Sequence, residues 1–139
     1  LLAPVRADEA KMQQVFLSIF KNAIEAMTPG GILTISMSNQ RAGRHLEVQI
    51  LIKNNGAPIP PEHVDKVFEP FFTTKRSGTG LGLATVKKIV EEHQGSIGIS
   101  GTPGEGTTVT IRLPGVSRGP AHRYRGRGRR PPRRPTAAS

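Results

Sequence analysis

Phe68-Glu69-Pro70-Phe71-Phe72-Thr73-Thr74-Lys75 is followed within three residues by Gly78-Thr79-Gly80-Leu81-Gly82-Leu83-Ala84, and few folds need a glycine ladder that feeds straight into an amphipathic helix. Glycines at every second position free the backbone to adopt positive φ and to approach a ligand closely. The helix that follows offers the unpaired N–H groups of its first turn to whatever lies in front of it, an arrangement suited to phosphate. The ladder is not of the Walker type, because no Gly-Lys-Ser/Thr closes it. It is not the dinucleotide fingerprint either, because no strand leads directly into it and no acidic residue follows about 20 residues on. Such a turn can also serve packing alone, so the surrounding chain has to decide.

Downstream of the ladder, the pattern predicts a helix over residues 81–94 ended by Gly95, then strands over 97–100 and 107–113 joined by the turn 101–106. Upstream, Pro61 in a first turn suggests a short helix over 61–68. Before it, residues 32–37 and 46–52 read as a pair of antiparallel strands. Met12, Val15, Phe16, Ile19, Phe20, Ala23, Ile24 and Met27 recur at helical spacing behind Asp8, a fitting N-cap, and Pro29-Gly30-Gly31 stops that helix. Its other side carries Ser18, Asn22 and Glu25 on neighbouring turns. Helix, two strands, two helices and two strands make an α+β two-layer sandwich: a mixed, mostly antiparallel sheet with helices on one face.

A chain of 139 residues with 35% hydrophobic content is long enough for one core, and it has no apolar run long enough to span a membrane as a helix. With no cysteine and four scattered histidines, neither a disulfide framework nor a thiolate metal site is available, so any metal would be a hard cation held by oxygen. The net charge of +10 is unevenly placed, since eight arginines follow Pro114 and leave the body nearly neutral. The division expected is a domain over 1–114 and an arginine-, proline- and glycine-rich tail over 115–139, with too few apolar residues to offset the entropy of ordering. The tail reads either as a solvated basic extension or as an arm that neutralises nucleic-acid or lipid phosphates. Because the chain opens on Leu1, it is expected to be a fragment.

With these elements placed, the chain resembles the ATP-binding catalytic domain of bacterial sensor histidine kinases, within the superfamily that includes gyrase B, the Hsp90 chaperones and MutL. Residues 14–27, Gln-Val-Phe-Leu-Ser-Ile-Phe-Lys-Asn-Ala-Ile-Glu-Ala-Met, are similar to the helix block in which that family places a magnesium-binding asparagine. Asn54-Asn55-Gly56-Ala57-Pro58-Ile59-Pro60 resembles the adenine loop usually written Asp-x-Gly-x-Gly-Ile. The phenylalanine-rich segment, the glycine ladder and the closing Gly104-Glu105-Gly106-Thr107-Thr108 follow in the family's order, so that the resemblance covers residues 8–113. The segment between Phe72 and Gly78 is most like the nitrogen-regulation type.

The resemblance implies ATP and Mg²⁺ as ligands. It implies a nucleotide site made by Lys21, Asn22, Asn54, Gly56, Ile59, Thr74, Lys75, Gly78, Gly80, Leu81, Gly82 and Thr107, with Asn22 also the metal ligand. Thr107 would support the base from below or stand as a plain β-branched strand residue, and Phe68, Phe71 and Phe72 would anchor a lid in the core, with covering the pocket as the alternative for Phe71. No catalytic residue is expected within the chain. The phosphoacceptor histidine would lie on a separate dimerisation domain, because His45, His63, His93 and His122 lack the acceptor context. The partners implied are that domain and a downstream response regulator, in a homodimeric parent; nucleic acid is not expected. The domain would be cytoplasmic, and the parent can be membrane-anchored.

Three departures from the family pattern bear on activity. Ser18 stands where relatives carry a glutamate or a second asparagine and cannot act as a general base without a partner. Pro58 stands in place of a glycine and fixes φ near −65°. Asn54 replaces an aspartate and loses charge assistance toward adenine. Two readings therefore stand beside each other: a kinase module that transfers the γ-phosphoryl of Mg-ATP to histidine, and a degenerate module that binds nucleotide or partner for regulation. A nucleic-acid-binding role driven by the tail is a third.

Overall fold

The computed structural model describes residues 1–73 and 82–116. Helix α1 spans Glu9–Ala26 and starts where expected, with the Asp8 carboxylate accepting the Lys11 N–H at 3.0 Å. Strands β1 (Leu33–Ala42) and β2 (His45–Asn54) form a hairpin closed between Ala42 and His45, with Gly43 at φ +61° in its two-residue turn. After a loop comes α2 (Gly82–Glu92), and β3 (Ser96–Thr102) and β4 (Gly106–Pro114) complete the sheet. The strand order is β1-β2-β4-β3, and every described pairing is antiparallel.

The pleat sorts the side chains. Val48, Ile50 and Ile52 of β2 and Val109, Ile111 and Leu113 of β4 are buried on one face. Against them pack Met12, Val15 and Ile19 of α1 and Val86, Ile89 and Val90 of α2 in one cluster. Both helices thus lie on the same side of the sheet, as the α+β reading expects. No helix among the described residues is long and apolar enough to cross a membrane.

Two elements differ from expectation. The segment after Pro60 contains no α-helix. Only Pro61–His63 form a 3₁₀ turn, followed by further turns such as Val64 N–H to Pro61 O at 3.3 Å and Lys66 N–H to His63 O at 2.9 Å. The eight residues between Pro61 and Pro70 are too few to repay helix nucleation. Helix α2 ends at Glu92, three residues before the glycine expected to stop it. Gln94 itself takes φ +57°, its N–H reaching Glu91 O at 2.9 Å while the Gly95 N–H reaches Val90 O at 2.9 Å. That is the Schellman pattern with glutamine in the left-handed seat. Gly95 is needed for another reason, since a Cβ there would run into the Arg112 carbonyl.

The first and last described residues meet. Val5 bridges Gly115, the Gly115 N–H donates to Leu46 O, and the Val116 N–H donates to Pro4 O, both at 2.7 Å. The expected tail beyond the described Val116, residues 117–139, lies outside the described residues.

Candidate functional site

Asn54 and Thr107 are the two buried polar side chains among the described residues, and they face each other as cross-strand partners where β2 ends and β4 begins. The backbone of residues 54–60 is tied on every side at this point. Asn54 Oδ1 accepts the Gly56 N–H at 3.0 Å, turning the chain back on itself. Asn55 Oδ1 accepts the Ile32 N–H at 2.8 Å, and the Asn55 N–H returns a bond to Ile32 O at 3.3 Å. The Ala57 N–H reaches Ala26 O at the end of α1, 3.2 Å away. Gly56 passes so close to that carbonyl that no Cβ could be accommodated.

Thr107 holds the far side of the loop. Its hydroxyl accepts the Ile59 N–H at 3.1 Å and donates to Ala57 O at 3.3 Å. The one hydroxyl proton is thereby spent on the loop that it shapes. Pro58 falls between the two donors that matter, Ala57 and Ile59, and its missing N–H therefore leaves no bond unmade. Gly106, at φ +94°, and Gly101 close the cradle: a side chain on the first would meet the Asn54 carbonyl, and one on the second the Ile59 backbone at 2.6 Å. Gly101 was not among the expected site residues. Its only signal in the sequence is a glycine at the end of a strand, which turn chemistry alone would explain.

Helix α1 brings the remaining described residues to the same end of the molecule. Asn22, half-buried, stands one turn before Ala26 on the same side of the helix, so the asparagine and the loop on Ala26 O are neighbours. Ser18 is half-buried one turn earlier, and Lys21 is exposed beside Asn22. Gly82, exposed, is the first residue of α2. Thr74, Lys75, Gly78, Gly80 and Leu81 lie outside the described residues.

The phenylalanines divide. Phe68 is half-buried under the Lys87 ammonium, 5.8 Å from its ring centroid, and Phe72 stacks edge-on with His63 at 5.2 Å. Phe71 does not anchor in the core: it is 75% exposed with φ +68°, a conformation that is strained for a bulky side chain. Two surface hollows among the described residues, beside Leu46 and Pro114 and beside Arg6 and His93, sit at the opposite end of the sheet.

The sequence pattern of the histidine kinase-, DNA gyrase B- and HSP90-like ATPases matches residues 7–117. The sensor histidine kinase ZraS of Escherichia coli K12 is 40% identical over 113 residues, which are 81% of this chain and 23% of that protein. The nucleotide-free catalytic domain of histidine kinase ThkA superposes with a TM-score of 0.70 at 37% identity, covering 80% of this chain and 70% of that one. Full-length ShkA in complex with AMPPNP gives a TM-score of 0.70 at 26% identity, over 84% of this chain and 24% of that one. The chain thus spans about a quarter of the length of the curated relatives it matches. With the two-layer fold, the cradle between α1 and β4 and this match over most of its length, the chain belongs to the histidine kinase-, DNA gyrase B- and HSP90-like ATPase family.

Proposed function

We propose that this chain is the catalytic, ATP-binding module of a two-component sensor histidine kinase. It would bind Mg-ATP in the cradle and deliver the γ-phosphoryl to a histidine on a dimerisation domain of the parent protein, which then serves a response regulator. The observation that carries this reading is the clamped loop 54–60, joined to α1 and β4 at once, with Asn22 one turn from the helix end that it touches. In transfer, an imidazole nitrogen forms the N–P bond, the bond from Pγ to the bridging oxygen breaks, ADP leaves and the imidazole sheds its proton to solvent. The nucleophile carries its own lone pair, so Ser18 in the glutamate's place is no obstacle.

Lys21, Asn22, Asn54, Gly56, Ile59, Gly82 and Thr107 form the described part of this proposed site, and Thr74, Lys75, Gly78, Gly80 and Leu81 complete it. No group of three acidic or histidine side chains among the described residues forms a metal cage. A single amide oxygen at Asn22 fits Mg²⁺, which takes the rest of its octahedron from phosphates and water and would neutralise charge on the phosphoryl group. ShkA, solved with AMPPNP, supports the assignment of ATP as ligand. The domain boundary at 114 and the tail as a separate extension belong to the same proposal, as does a cytoplasmic position for the domain.

The test is phosphorylation in trans: γ-labelled Mg-ATP, this chain and a cognate dimerisation domain, with Asn22→Ala as control. Label on the partner's histidine that Asn22→Ala abolishes supports the kinase module. Saturable Mg-ATP binding with no label on any cognate domain supports instead a regulatory module, the reading favoured by serine at 18 and asparagine at 54.

A further inference from the structure

Asp8 caps α1 with its carboxylate, but its own N–H finds no acceptor within that helix. A glutamate or glutamine at the third helical position would reach back to this donor, and the residue there is Lys11, which cannot accept. The acceptor comes from α2 instead. His93, half-buried just past the end of α2, takes the Asp8 N–H on Nε2 at 3.0 Å, while its Nδ1 donates to the Ile89 carbonyl at 2.8 Å. A carbonyl only accepts and a backbone N–H only donates, so both contacts select the same neutral tautomer, with the proton on Nδ1 and the lone pair on Nε2.

The ring therefore joins the start of one helix to the last turn of the other. The neighbouring Lys11–Glu92 ion pair, at 3.2 Å, spans the same gap, but its side chains are 50% and 43% exposed, and pairs so open to water contribute little. From this lock the helices run in opposite senses, with Val15 and Ile19 of α1 packed in one cluster with Val86 and Val90 of α2. Asn22 lies about 21 Å along α1 from Asp8, and Gly82 about 16 Å along α2 from His93. We propose that His93 is a positioning residue: by holding the start of α1 on the end of α2, it fixes how the two helices present Asn22 and Gly82 to the nucleotide. This rests on the nucleotide reading above and adds to it a residue at the far end of both helices. The lock is separate from the bridge between Val5 and Gly115, because Asp8 is held by its own cap and by the ring.

The experiment sets two amides against each other in the full chain. His93→Gln places an acceptor near the Nε2 position and keeps the bond to Asp8, whereas His93→Asn places its polar end near Nδ1 and reaches Ile89 O alone. Mg-ATP is titrated calorimetrically into the parent and both variants, each folded by circular dichroism. The expected dissociation constant is within about twofold of the parent for His93→Gln and about fivefold weaker for His93→Asn, the scale of one neutral hydrogen bond. Proton–nitrogen correlation spectra of the parent imidazole at alkaline pH should show a protonated Nδ1 and a bare Nε2 on His93. Equal affinity in all three proteins overturns the positioning role and leaves the nucleotide site standing. Equal weakening in the two variants means that the ring acts by packing alone, which also overturns it. A proton on Nε2 in the parent overturns it whether or not the variants fold. No nucleotide bound by the folded parent removes the nucleotide reading and the positioning role with it.

Discussion

Thr107 shows how a single buried hydroxyl can organise a loop. It bridges Ile59 N–H and Ala57 O, so Thr107→Val keeps the shape but leaves both groups unpaired in a partly buried loop. We expect a loss of about 1–3 kcal/mol in stability, read by chemical denaturation, together with weaker nucleotide binding in calorimetry. Thr107→Ser, which retains the hydroxyl, should restore most of both; equal damage from the two changes would mean that the methyl group matters more than the bonds. Residue identity was legible in the sequence here, because asparagine and threonine stood at motif positions. The direction of their bonds was not: a motif records which side chain is present, and only the fold decides whether its acceptor is spent on Gly56 or left for a ligand. Gln94 is a similar case at a helix end, where glycine at the next position suggested the wrong residue for the left-handed seat.

At the level of elements, burial separates strands that the sequence pattern treats alike. Ile35 and Met37 of β1 pair with Ile52 and Ile50 and lie on the core side of the sheet, yet they are 45% and 50% exposed because β1 is an edge that the helices do not cover. Ile111, in the centre of β4, is 1% exposed. We therefore expect Ile111→Ala to cost about 2–5 kcal/mol and Ile35→Ala about 1 kcal/mol or less, measured as shifts in denaturant midpoint at unchanged slope. Comparable losses would show that β1 is more integral than its exposure indicates. The alternation of Val48, Ile50 and Ile52 and the helical stripe of α1 made these elements readable, since each has a strong period of its own. The second half of β1, Ser38-Asn39-Gln40-Arg41, carries no apolar signal and is a strand only because β2 supplies its ladder, so the expected strand stopped at residue 37. The false helix after Pro60 arose the other way, from a local start signal that no length of chain could sustain.

On the scale of the whole molecule, the sheet separates the cradle from the bridge between Val5 and Gly115 by its own length. One end holds Asn54, Gly106 and the cradle; the other holds Leu46, Pro114 and the bridge from Val5 to Gly115. The paired strands between them run for eight residues, from Glu47 to Asn54, and at about 3.4 Å per residue that is well beyond the reach of a direct contact. A Cβ placed on Gly115 would lie 3.1 Å from Ala3 Cβ and 3.2 Å from Leu46 O, so a β-branched side chain there forces these neighbours to give way and loosens the bridge to Val5. Gly115→Val should therefore lower the melting temperature and raise amide exchange at Gly115 and Val116, whose N–H groups bond Leu46 and Pro4. It should leave the nucleotide dissociation constant of the folded protein within about twofold of the parent, as expected of sites that share no partners. If affinity falls in step with stability, the end bridge and the cradle are one cooperative unit, with β2 and β4 transmitting strain along their length. If only the amides near the bridge respond, the core cluster isolates the site from whatever is attached at the far end.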